Sequence, residues 1–96
     1  MDKIELHGKE IVDVVSSLVL GEVSYTIDDP SHSFLFKIEN RGHKWVARGD
    51  ICDVMDMSPH DYAWIIATAY RDDTLNMLFR KEHLSELLDS RVIQPL

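Results

Sequence analysis

The chain has 96 residues, 45% of them hydrophobic and 28% charged, with ten Lys and Arg against seventeen Asp and Glu. That length holds one domain, residues 1–96, around one modest core, and the composition is globular rather than disordered. A formal net charge of −7 argues against a broadly basic nucleic-acid binder, and the single cysteine, Cys52, excludes an intrachain disulfide scaffold.

Residues 1–7, Met-Asp-Lys-Ile-Glu-Leu-His, are too charged for the apolar stretch of a secretory signal. No apolar run approaches the about 20 residues of a membrane span. A cytoplasmic protein without membrane contact is therefore expected. Ile4 and Leu6 alternate with charged neighbours, as in a short strand or extended lead-in. From Lys9 to Leu20 the apolar residues Ile11, Val14, Val15 and Leu18 share one helical face, and Gly21 is a natural stop. Val23 to Ile27 alternates as a half-buried strand, and Asp28-Asp29-Pro30-Ser31 has turn chemistry. Ser33 to Ile38 alternates again, with Phe34, Phe36 and Ile38 on one face. After a break at Asn40-Arg41-Gly42, Lys44 to Arg48 completes an antiparallel meander of three strands.

Beyond Gly49 the period lengthens to about 3.6. Asp50 to Met55 reads as a short helix. Ser58-Pro59-His60-Asp61 carries a cap, a first-turn proline and a carboxylate at the capping-box position, so a helix is expected from Pro59 to about Arg71. Asp72-Asp73-Thr74 interrupts it. Residues 75–80 suit strand or helix equally, Lys81 to Arg91 reads as a C-terminal helix, and Val92 to Leu96 as a tail. The expected fold is α+β: an N-terminal helix, a small antiparallel meander, a helix pair and a C-terminal helix.

Residues 50–70 have a helix-turn-helix pattern, with Ile51, Met55, Met57, Tyr62 and Ile65 where two helices would touch. Asp56 holds the turn position usually given to a left-handed glycine, a conformation Asp tolerates better than most residues. The stretch 44–58 resembles the N-terminal domain of viral and phage Bro-type antirepressors. In that family a strand carrying Trp and Val-Ala runs into a Lys-Asp-Val helix ending at a Leu-Gly turn. Trp45, Val46-Ala47, Asp50-Ile51 and Met55-Asp56 match it here, with one extra residue at Gly49 and Asp56 in place of the glycine. The resemblance implies a phage-type regulator.

Stepping 100° per residue from Tyr62 puts Ile65, Ile66, Ala69 and Tyr70 on the buried side of the second helix and His60, Trp64, Ala67 and Arg71 on the open side. Base readout relies on Arg, Lys, Asn and Gln, and this face offers one Arg among the acids Asp50, Asp53, Asp56 and Asp61. The charge divides along the chain: −5 over residues 1–36, +3 over 37–48, −5 over 49–73 and zero thereafter. Lys37, Arg41, Lys44 and Arg48 thus make one basic hairpin, suited to nucleic acid or an acidic partner, in an otherwise acidic molecule.

Catalytic signatures are missing. His7, His32, His43, His60 and His83 are scattered, and none pairs with Cys52 or with another His at a metal-ligand spacing. The serines lack nucleophile context, the glycines form no phosphate loop, and Cys52 reads as an inert core thiol. No metal, cofactor or catalytic residue is expected. The sequence points to a small acidic non-enzymatic regulator or inhibitor of a protein with a basic surface, through Trp64, His60, Arg71, Asp53, Asp56 and Asp61. The alternatives are a DNA-binding transcriptional regulator, which would use the helix pair and basic hairpin, and an immunity-type occupant of a basic enzyme site.

Overall fold

A computed structural model describes the backbone of residues 2–78 and 94–95 and the side chains of residues 2–74. Helix α1 spans Lys3–Leu18. Asp2 caps it, accepting from the backbone N–H of Ile4 at 2.6 Å and of Glu5 at 3.1 Å. Ile4 and Leu6 are therefore helical, not extended: three alternating residues are too short a pattern to outweigh a cap. Gly8, Ile11 and Val15 form the buried stripe. The chain leaves the helix through Gly21, whose φ of +125° suits glycine.

Three strands follow, β1 (Glu22–Asp28), β2 (Ser33–Asn40) and β3 (His43–Asp50). They form the expected antiparallel meander, with Tyr25, Phe36 and Ala47 in register. Arg41 and Gly42 close the second hairpin with φ of 53° and 81°, the mirror-image turn whose twist matches a two-residue connection. The tail adds a two-residue strand β4 (Gln94–Pro95) opposite Arg48 and Ala47, where an unstructured end was expected. Among the described residues β1 pairs only with β2, so it forms one edge of the sheet. The expected helix over 81–91 lies outside the described residues.

Helix α2 (Ile51–Met55) is capped by Asp50, which accepts from the N–H groups of Cys52 and Asp53. Helix α3 spans Pro59–Leu78. Ser58 Oγ accepts from the Asp61 N–H at 3.1 Å, so the cap is read correctly from the sequence. The end at Arg71 is not: Asp72, Asp73 and Thr74 continue the helix, and Thr74 Oγ1 donates back to the Tyr70 carbonyl at 2.8 Å. No glycine or proline breaks this stretch, and Tyr70 packs edge-on against Trp45 at 5.6 Å. Tertiary packing thus outweighs a weak local preference.

One face of the sheet carries the core. Phe34, Phe36, Ile38 and Ala47 are buried against Ile11 and Val15 of α1, Ile51 and Val54 of α2, and Tyr62, Ala63, Ile66 and Ala69 of α3. Rings run in sequence from Tyr25 through Phe34 and Phe36 to Tyr62, with centroid spacings of 5.9, 5.5 and 5.7 Å. Two close approaches within the core require glycine. A Cβ on Gly8 would come within 2.9 Å of the Tyr25 and Phe34 rings, and one on Gly49 would overlap Tyr62 Oη. His7 Nε2 donates to the Val54 carbonyl at 3.1 Å, tying α1 to α2.

Candidate partner-binding surface

Helix α3 lies over the sheet and beside α1, so it is covered on two flanks. This corrects the position of Ala67, which is buried rather than on the open side. The strip left to solvent carries His60, Asp61, Trp64 and Arg71. Trp64 is 50% exposed. Its Nε1–H donates to His60 Nε2 at 3.0 Å, one helical turn earlier. A neutral His60 must then carry its proton on Nδ1. The contact gives the indole a defined orientation.

Trp64 edges a groove of about 490 Å³ between α3, the last turn of α1 and Asn40 at the hairpin. Leu18, Val19 and Leu20 form its far wall. Leu20 is 82% exposed: it follows the helix and precedes the Gly21 turn, so its side chain has no core to enter. Arg71 and Thr74 line the floor toward the C-terminal end of α3. A second hollow of about 390 Å³ shares Asn40, Tyr70 and Thr74 with the first and continues past Trp45 and Asp73 to Arg41, His43 and Lys44. The indole Nε1 of Trp45 is buried and finds no hydrogen-bond partner among the described residues.

The residues expected to bind a partner therefore divide. Trp64, His60 and Arg71 come together on the exposed strip of α3. Asp53, Asp56 and Asp61 are exposed around the α2–α3 junction and do not line the groove. Leu20, Asn40, Tyr70 and Thr74 join the site without having been singled out in the sequence. Only Leu20 carries a signal, an apolar residue stranded between a helix end and a glycine turn.

The basic hairpin also divides. Strand alternation puts Lys37, Lys44 and Arg48 on the face of the sheet away from the core, while Arg41 occupies the tip. Lys37 Nζ lies 3.7 Å from Glu39 Oε2. The helix pair departs from a helix-turn-helix: α2 has five residues, and Asp56 has φ −74° and ψ −15°, right-handed rather than left-handed. The turn closes instead through the Asp56 and Met57 N–H groups, which donate to the carbonyls of Cys52 and Val54.

Cys52 is exposed, not in the core. Ile51 and Val54 take the inward side of α2, leaving Cys52 outward with Sγ 3.9 Å from His32 Nε2. A His–Cys neighbour thus exists that the sequence spacing did not reveal. Among the described residues no group of three or more His, Cys, Asp or Glu could hold a metal. Burial raises the Tyr62 phenol well above its ordinary pKa, and the Asp53 charge adds to the effect. Tyr25 shifts upward too, first by burial and then through Glu5 and Asp2, while its Oη donates to the Glu5 carbonyl at 2.9 Å.

Among the described residues no helix is long and apolar enough to cross a membrane. No protein-family model, curated protein or solved structure matches the chain.

Proposed function

We propose that this chain is a small non-enzymatic regulator or inhibitor that acts from the cytoplasm by binding another protein, which it holds in the groove between Trp64 and Leu20. One observation carries the reading: a half-exposed tryptophan, oriented by His60, faces an exposed leucine across a preformed groove. Aromatic anchors seated at the centre of an interface often dominate its binding energy. The Bro-type resemblance of residues 44–58 is a further reason to read a regulator of phage type. A DNA-binding regulator has narrower support in Arg41 and Lys44 near the hairpin tip, since the open strip of α3 offers base edges only Arg71. An immunity-type role would rest on the exposed acids at the α2–α3 junction instead of the groove.

Selection of a displayed random-peptide library against the full chain tests the groove. Enriched peptides are expected to bind Trp64→Ala at least about tenfold more weakly, or about 1.4 kcal/mol, with the melting temperature little changed. Equal binding to wild type and Trp64→Ala would overturn the proposal, as would failure to enrich any binder.

A further inference from the structure

We infer that the occupant of the groove is an acidic amphipathic peptide segment, with an apolar side chain between Leu20 and Trp64 and carboxylates over Arg71 and the hairpin tip. This rests on the reading of the groove as a binding site, and it reverses the partner charge that the whole-chain balance of −7 suggests. The two hollows share Asn40, Tyr70 and Thr74, so they form one continuous depression with an apolar half and a cationic half. It is lined by Arg71 and Arg41, both exposed, and by the carboxylate of Asp73, while Lys44 borders it from the outer face of the hairpin, across from Glu39. None of the three cations has an ion pair among the described residues. A cation left in solvent beside an apolar groove gains from an incoming carboxylate without first giving up an internal partner.

Among the described residues, the acids of the α2–α3 junction lie far from these cations. Asp61 and Arg71 lie about 15 Å apart along the α3 axis at 1.5 Å per residue, beyond the screening length of about 8 Å at physiological salt. Asp53 and Asp56 lie in and just after α2, beyond the α3 N-terminus. A lysine-rich segment in the groove would meet like charges on Arg71 and Arg41. A phosphate backbone would find the cations at one end only and be repelled by the acidic junction at the other. The aliphatic wall of Leu18, Val19 and Leu20 suits an apolar side chain better than the flat stacking of a base.

Fluorescence anisotropy with the full chain separates these partners. Three labelled peptide series share the same apolar positions and carry Glu, Gln or Lys at the flanking ones; labelled oligothymidylate is the fourth probe. The Glu series is expected to bind at least about tenfold tighter than the Lys series, to weaken as salt rises, and to lose most affinity in Trp64→Ala. Arg71→Glu combined with Arg41→Glu is expected to shift preference toward the Lys series. Should that variant fail to melt cooperatively, Arg71→Gln with Lys44→Gln replaces it, with loss of the salt dependence as the expected result. Equal or tighter binding of the Gln or Lys series overturns the acidic partner and leaves the groove standing. Tighter binding of oligothymidylate overturns it in favour of nucleic acid. No binding by any peptide, or binding indifferent to Trp64→Ala, removes the groove itself.

Discussion

Gly49→Ala tests the packing of α3 on the sheet at its tightest point. Gly49 is buried in β3 opposite Phe34, and Tyr62 Oη sits where a Cβ would go. The new methyl would also come within 2.9 Å of Val54 Cγ2 and 3.1 Å of Tyr62 Cζ. Forcing a methyl into a filled core destabilises by about 1–3 kcal/mol, while removing glycine from a strand returns about 0.5–1 kcal/mol. The net loss is about 1–2 kcal/mol, a fall in melting temperature of about 4–16 °C for a domain of this size. Tyr62→Phe removes the overlapping oxygen and by itself destabilises by about 1 kcal/mol. The double variant lacks the worst contact, so its loss is expected to be smaller than the sum of the single losses by about 1 kcal/mol. Thermal and urea unfolding followed by far-ultraviolet circular dichroism measure all four proteins. Additivity within about 0.5 kcal/mol would refute the reasoning, because it would mean that the hydroxyl and the methyl never compete for one space.

Tyr62 also gives a pH signature. Its folded phenol titrates above its unfolded value of about 10, so the folded state favours the neutral form. That stabilisation is complete below pH about 10 and is lost as pH rises beyond it; melts from neutral to strongly alkaline pH should show the decline, and a smaller one in Tyr62→Phe. Trp45→Phe deletes a buried N–H that has no partner among the described residues, so stability should hold or rise by up to about 1 kcal/mol; a loss above about 2 kcal/mol in a urea titration would show that the indole N–H is bonded. Cys52 should react with Ellman's reagent in the native protein without denaturant; a thiol that reacts only on unfolding would contradict its exposure.

The strands were legible because one face of each is buried. Phe34, Phe36 and Ile38 keep a strict period of two against polar neighbours, and no other element could bury that set. The α3 cap was legible as well, since Ser58 and Pro59 act within one turn. What escaped the sequence depends on contacts between distant residues. Thr74 looks like a helix breaker until Tyr70 is seen against Trp45. Ala67 falls on the open side of a helical wheel that assumes one buried flank, whereas α1 supplies a second. The two-residue strand at Gln94–Pro95 is too short to alternate. The groove shows the same limit most clearly. Trp64 and Arg71 could be placed on one exposed strip by periodicity, but their meeting with Leu20 and Arg41 depends on how the end of α1 and the hairpin tip converge. Net charge averages regions of opposite sign, so it does not show where the cations gather.

The edge strand β1, unpaired on one side among the described residues, bears on self-association. An unpaired strand offers its N–H and C=O groups to any passing chain. Two copies meeting edge to edge, antiparallel and centred on Tyr25, would set Glu22 of each against Asp28 of the other. Like charges directly opposite in a ladder are destabilising, and this pairing has two such places, one at each end. A slip of two residues separates the acids but shortens the ladder. The acidity around this strand therefore works against sheet-to-sheet growth, leaving a small domain with an exposed edge that is disfavoured as a seed for its own aggregation.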